Sequence, residues 1–250
     1  GQGVTALDAA TVETVRTYEG SENARQIIHT GDRLIMLVGS SQVAVQMRRG
    51  NGPPARRVLM AADPETGEML WRKDVSVDTL LPLVVCGDSL LYQTNEHLVC
   101  RNTRTGGERW RKTHPMQIAS AGNRSWLWAS PTLTAHDDIV YVADFRKLSA
   151  FSIDDGQALW ECSSTAGFNS PPDVFVIDDL LWRGYTRSRG SADFGEGLNA
   201  RTGELENSIA TEKAWAYPTL AHHRCYRSKA TSRFILSARS GTEFINVNTS

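Results

Sequence analysis

Apolar residues in this chain fall in short runs, and the runs come in pairs separated by a polar two-residue turn. IIHTGDRLIML (27–37), LVVCGDSLLYQ (83–93), LTAHDDIVYVA (133–143) and VFVIDDLLWRG (174–184) share this form, and KATSRFILSA (229–238) keeps it more weakly. The runs are too short for amphipathic helices and rich in Val, Ile, Leu and Tyr, so each pair predicts a β-hairpin. The turns sit near Asp32, Asp88, Asp138, Asp179 and Ser232.

A second signature follows each hairpin. LDAATV (7–12), ADPETG (62–67), RNTRTG (101–106), SIDDG (152–156), LNARTG (198–203) and INVNTS (245–250) end at spacings of 55, 39, 50, 47 and 47 residues. Four places before each end stands Asp8, Asp63, Asn102, Ser152, Asn199 or Asn246. Short polar side chains there accept hydrogen bonds from nearby backbone and favour tight turns. Glycine at the last position supplies positive φ, with Val12 and Ser250 as exceptions. Apolar residues precede each turn, so this is a second hairpin, and a unit holds strands A, B, C and D. The two turns of a unit lie 19 residues apart in three copies, 25 in one and 36 in another. The added lengths fall between strands B and C, at 40–57 and around 188–197, and their Gly, Ser, Pro and Arg mark surface loops.

Four antiparallel strands repeated every 40 to 50 residues predict an all-β fold, a β-propeller of four-stranded antiparallel blades. The expected units are a part blade at 1–20, complete units at about 24–74, 80–112, 130–162 and 172–210, and a part blade at 225–250. Trp71, Trp110 and Trp160 each stand four places after a turn glycine. Each indole is expected to pack on the neighbouring blade beside the turn, with its N–H on a backbone acceptor. Arg16 and Asn207 take that position in the first and fifth copies, where weaker junctions are expected.

ADPETGEMLW resembles, almost residue for residue, the tryptophan-docking repeat A-x-D-x-x-T-G-x-x-x-W of quinoprotein-type (pyrroloquinoline-quinone-like) propellers of bacteria. The resemblance covers nearly the whole chain through six copies, two of them partial. The Gly-His and Trp-Asp pairs of WD-repeat propellers and the Gly-Gly doublet of kelch propellers do not recur. Such families close with seven or eight blades, so the resemblance implies part of a larger ring. It also implies an extracytoplasmic, periplasmic setting. Some members are dehydrogenases that bind pyrroloquinoline quinone and calcium; others bind no cofactor and serve as interaction platforms. The repeat belongs to the scaffold and does not choose between them. Quinone enzymes of this type carry adjacent cysteines near the quinone, and this chain has none.

Composition narrows the partners. A net charge of −1 lacks the basic excess that nucleic-acid binding needs. No apolar run approaches the ~20 residues of a membrane-spanning helix. The four cysteines, Cys86, Cys100, Cys162 and Cys225, form no CxxC, which argues against a zinc ribbon. Free thiols are expected, with a Cys86–Cys100 disulfide as the alternative.

In a four-strand meander the A–B and C–D turns share one face and the B–C and D–A connections the other. The second face gathers Arg48, Arg49, Arg56, Arg57, Arg146, Lys147, Arg187 and Arg189 from the B–C loops. Its D–A connections add Arg124, Trp126 and Trp128 after His114, and Trp215, His222, His223 and Arg224. Long loops on a rigid scaffold concentrate binding residues. Arginine with aromatics suits a protein partner or an anionic or carbohydrate-like ligand; the alternative is that these arginines only solvate loops. The turn face gathers Asp32, Asp63, Glu65, Asp88, Asp138, Asp154, Asp155 and Asp179. The Asp-Asp pairs at 137–138, 154–155 and 178–179 read as turns rather than catalytic carboxylates. Adjacent His222 and His223 on a strand would point to opposite sides, so packing rather than a metal site is expected there; a site made by His222 with Cys225, or with His114 of the other D–A connection, is the alternative. No catalytic residue or cofactor is evident. The expected function is a non-catalytic binding or scaffold domain that docks its partner on the B–C/D–A loop face. The alternative is part of a quinone-dependent dehydrogenase.

Overall fold

The apolar runs form strands because both of their faces are covered. A computed structural model describes residues 2–39, 55–77, 83–94, 96–115, 120–121, 124–125, 132–144, 146–164, 174–184, 194–210, 229–237 and 243–246. Among them there is no helix, and so none long and apolar enough to cross a membrane. The chain divides into two compact units, Gly1–His114 and Pro115–Ser250.

The first unit opens with an antiparallel pair, β1 (Thr5–Leu7) and β2 (Thr14–Thr17). The first four-stranded blade is β3 (Ala24–His29), β4 (Leu34–Gly39), β5 (Ala55–Ala62) and β6 (Met69–Val77). The second is β7 (Leu83–Cys86), β8 (Ser89–Gln93), β9 (His97–Asn102) and β10 (Glu108–Thr113). In both, each strand pairs only with its sequence neighbours, all antiparallel.

Side-chain alternation along β5 shows how a blade buries two faces. Leu59 and Ala61 join Ile35, Leu37, Trp71 and Val75 against Leu83, Leu90, Tyr92 and Val99 of the second blade. Met60 and Ala62, from the other face of the same strand, pack with Tyr18, Met36 and Val38. The continuous apolar run VLMAA is therefore a strand covered on both sides.

The second unit contains a short hairpin, β11 (Ser120–Ala121) with β12 (Arg124–Ser125), inside a segment that reads as a plain connection in the sequence. The third blade is β13 (Thr132–His136), β14 (Ile139–Ala143), β15 (Lys147–Ser152) and β16 (Ala158–Ser163). The fourth is β17 (Val174–Ile177), β18 (Leu180–Gly184), β19 (Phe194–Asn199) and β20 (Leu205–Ala210). A three-stranded sheet follows, β21 (Lys229–Ala230), β22 (Phe234–Ser237) and β23 (Glu243–Asn246). Ile139, Tyr141, Leu148 and Ala150 of the third blade pack on Val174, Leu181 and Leu198 of the fourth.

The A–B turns use positive φ as the hairpin pattern requires: Gly31 and Gly87 in the first unit, Asp137, Asp178 and Asp179 in the second. Cys86 and Cys100 are not disulfide-bonded. Both pair with β8, opposite Ser89 and Leu91, so an intervening strand separates them. Cys225 lies outside the described residues.

Candidate functional site

The repeated turn is the best-defined local structure in the chain. In the first blade the Asp63 N–H donates to the Glu68 carbonyl and the Gly67 N–H to the Asp63 carbonyl, both at 2.9 Å. Asp63 Oδ1 accepts from the N–H groups of Glu65 and Thr66 at 2.8 Å. These two backbone donors, led by Thr66, hold the Asp63 carboxyl below its ordinary value. Asn102 and Asn199 accept the same two bonds from Arg104 and Thr105, and from Arg201 and Thr202. The closing glycines Gly67, Gly106, Gly156 and Gly203 all have positive φ. Val12 closes the first copy at φ 61°, a strained position for a β-branched residue.

The residue just after the turn head is a junction. The Thr103 N–H donates to the Asp88 carbonyl, Ile153 to Asp138, and Ala200 to Asp179. These bonds tie the C–D turn to the A–B turn of the same blade, so the two tight turns lie at one end of the sheet. Pro64 occupies this place in the first blade and has no N–H to give.

The carbonyl of the same residue faces the neighbouring sheet. Trp71 Nε1 donates to the Thr103 carbonyl at 2.8 Å, and Trp160 Nε1 to the Ala200 carbonyl at 3.0 Å. Each indole covers the turn glycine of the next blade: a Cβ on Gly106 would meet Trp71 at 2.7 Å, and one on Gly203 would meet Trp160 at 2.6 Å. Trp110 is half-buried on β10, paired across from Cys100. Arg16 lies over Gly67 in the same manner, and its Nη1 donates to the Pro64 carbonyl at 2.7 Å. The junction that lacks an indole thus keeps its hydrogen bond and adds a second, from Tyr18 Oη to the same carbonyl at 2.9 Å.

The turn face carries less free negative charge than its carboxylates suggest. Arg104 reaches Asp88 from the C–D turn to the A–B turn of the second blade, and Arg201 on the C–D turn of the fourth blade reaches Asp138 on the A–B turn of the third. Arg33 pairs with its neighbour Asp32. Among the described residues one group has metal-ligand spacing: His136 Nε2 lies 3.7 Å from Asp137 Oδ2 and 3.7 Å from Asp179 Oδ1. Both carboxylates are exposed, Asp179 to 90%, and His136 is half-buried.

At the opposite end, two B–C connections are tight. In one, Thr94 Oγ1 accepts the His97 N–H; in the other, Asp144 Oδ1 accepts from Arg146 and Lys147. His114, read as a loop-face candidate, is instead buried, with Nδ1 3.2 Å from Gln93 Oε1, while Gln93 Nε2 donates to the His114 carbonyl. Lys147 pairs with Glu161, and Arg183 with Glu196. Arg124 stands on β12. Arg48, Arg49, Trp126, Trp128, Arg187, Arg189, Trp215, His222, His223 and Arg224 lie outside the described residues. Sequence reasoning missed Arg57, which is 5% exposed on β5 although it reads as part of a solvated basic loop.

Comparison with known proteins agrees with this architecture. The family model described as outer membrane protein assembly factor BamB matches residues 55–216. The crystal structure of BamB from Moraxella catarrhalis superposes with a TM-score of 0.58 at 15% identity, covering 98% of this chain and 68% of that one. Quinohemoprotein alcohol dehydrogenase ADHIIG from Pseudomonas putida HK5 gives 0.52 at 13% identity, covering 88% of this chain and 42% of that one. No curated protein matches the chain. The match across more than half of the sequence, on a fold of antiparallel four-stranded blades, assigns the chain to the PQQ-like repeat β-propeller family of outer membrane protein assembly factor BamB.

Proposed function

We propose that this chain is a non-catalytic binding or scaffold propeller that docks a protein partner on its B–C/D–A loop face, outside the cytoplasm. The observation that carries this reading is the match of residues 55–216 to a family model whose description is an assembly factor. Two features support it. Inserted length falls at the loop end: β4 and β5 are separated by residues 40–54, and β18 and β19 by 185–193, whereas the other two B–C connections are tight. The turn end is committed to joining one sheet to the next, through Trp71, Trp160 and the carbonyls they bond.

The likeness to an alcohol dehydrogenase raises the enzyme reading. The residues present do not fit a quinone site of that kind. Cys86, Cys100, Cys162 and Cys225 include no adjacent pair, and the one described group with metal-ligand spacing joins a half-buried strand-end histidine to two exposed turn carboxylates.

Photo-crosslinking in the native host tests the proposal. A crosslinkable residue replacing Trp126 or Arg187 is expected to yield a discrete protein adduct, and one replacing Glu65 or Asp154 is not. Adducts from the turn face alone would overturn the assignment. A melting-temperature rise with pyrroloquinoline quinone and calcium, together with oxidation of alcohols or sugars, would replace it with the enzyme reading.

A further inference from the structure

We propose that Arg57 and Arg25 form a binding site for a small oxyanion, a phosphate or carboxylate group, at the B–C end of the first blade. The two residues converge on Gly39. Gly39 pairs with Arg57 across β4 and β5, and the Arg25 Nε–H reaches the Gly39 carbonyl at a long 3.5 Å. The absent side chain at Gly39 is what lets Arg57 lie there: a Cβ would stand 3.0 Å from Arg57 Cγ and 3.5 Å from Cδ.

Arg57 is 5% exposed, in rank with Leu59 and Ala61, which face the second blade. Among the described residues its guanidinium makes no ion pair and no hydrogen bond. A guanidinium does not shed its proton in a protein. The side chain is thus largely covered while its charge has no counter-ion among the described residues, and a partly desolvated charge of this kind gains from one. Burial first, and then the like charge of Arg25, press it below its ordinary value. Both effects are relieved by an anion between the two arginines, and an oxyanion matches the guanidinium fork with two parallel acceptors.

The two connections nearest in sequence carry few carboxylates. The segment joining β4 to β5, SSQVAVQMRRGNGPP, contains two arginines and neither Asp nor Glu. In the segment joining β6 to β7 (78–82) the one carboxylate is Asp78. The site shares its end of the blade with the partner face proposed above, yet inorganic phosphate needs no partner, so the two ideas fail separately.

The test is thermal unfolding of the full chain in sodium phosphate or sodium succinate against sodium chloride at matched ionic strength, with isothermal calorimetry as a second readout. Wild type is expected to gain a few degrees in melting temperature, saturating with anion concentration. R57M fills the same space without charge. It is expected to melt at or above wild type in chloride and to lose the anion response, and R25Q to weaken that response. A response to phosphate but not succinate, or the reverse, identifies which oxyanion the site takes. No response in wild type, or one that survives R57M, overturns the proposal. So does a response that appears only in D78N, because Asp78 would then be the counter-ion.

Discussion

The indole of Trp71 lies so close to Gly106 that a Cβ there would come within 2.7 Å of both Cδ2 and Cε3. Gly106 also has φ +65°. G106A therefore combines a left-handed backbone cost of about 1–2 kcal/mol with an overpacking cost of about 1–3 kcal/mol. At Gly87, φ is +53° and nothing lies within 4 Å of the position a Cβ would take, so G87A bears only the backbone cost. Urea unfolding of the two variants is expected to separate them by at least about 1 kcal/mol. Equal losses would mean that the indole does not rest on the turn.

The two described tryptophan junctions should respond unequally to loss of the indole N–H. The Ala200 carbonyl accepts from Trp160 Nε1 and also from Tyr141 Oη at 3.1 Å. The Thr103 carbonyl has Trp71 as its side-chain donor. W71F strands a buried acceptor and W160F does not, so W71F is expected to cost about 1–2 kcal/mol more. In the double-mutant cycle of W160F with Y141F, the pair should lose more than the sum of the singles.

Val12 stands at φ 61° and is 69% exposed, so glycine there relieves the backbone and gives up little packing. V12G is expected to stabilise the chain by roughly 1 kcal/mol, read as a higher urea midpoint at unchanged slope. A loss of stability would show that Val12 packs in a way its exposure hides.

Acid should weaken the chain through its turns. The carboxyl of Asp63 is held below its ordinary value by the N–H groups of Thr66 and Glu65, that of Asp8 by Thr11 and Ala10, and that of Asp138 by Arg201. A depressed folded-state pKa means that the unfolded chain binds protons first. The contribution is complete above the ordinary carboxylate value near 3.8 and disappears as pH falls through the lower folded value. Asn102 and Asn199 make the same two bonds without titrating, so D63N should keep its fold and lose part of the melting-temperature decline below about pH 4.

What the sequence made legible was whatever depends on local backbone chemistry. Turn residues at fixed offsets revealed both hairpins of each unit, because Asp, Asn and Gly act on the two or three residues beside them. Trp71 and Trp160 followed, since their position is fixed by counting from the turn. Features set by a neighbouring strand or sheet were hidden. Arg16 reads as a lost tryptophan, yet its aliphatic stem covers Gly67 and its guanidinium finds the expected acceptor. Cys86 and Cys100 read as candidates for pairing until β8 appears between them. Arg57 reads as one more loop arginine; only its register opposite Gly39 puts it in the core. The loop-face residues rest on connections whose course no local rule dictates.

The residue that follows each turn head has a wider consequence. At Thr103 and Ala200 one backbone unit bonds its own blade through the N–H and the preceding blade through the C=O. At Ala200 the Tyr141 hydroxyl adds a further donor to the same carbonyl. Because Arg16 meets the Pro64 carbonyl where an indole meets Thr103 and Ala200, the joint fixes an acceptor and leaves the identity of the side chain that reaches it open to exchange.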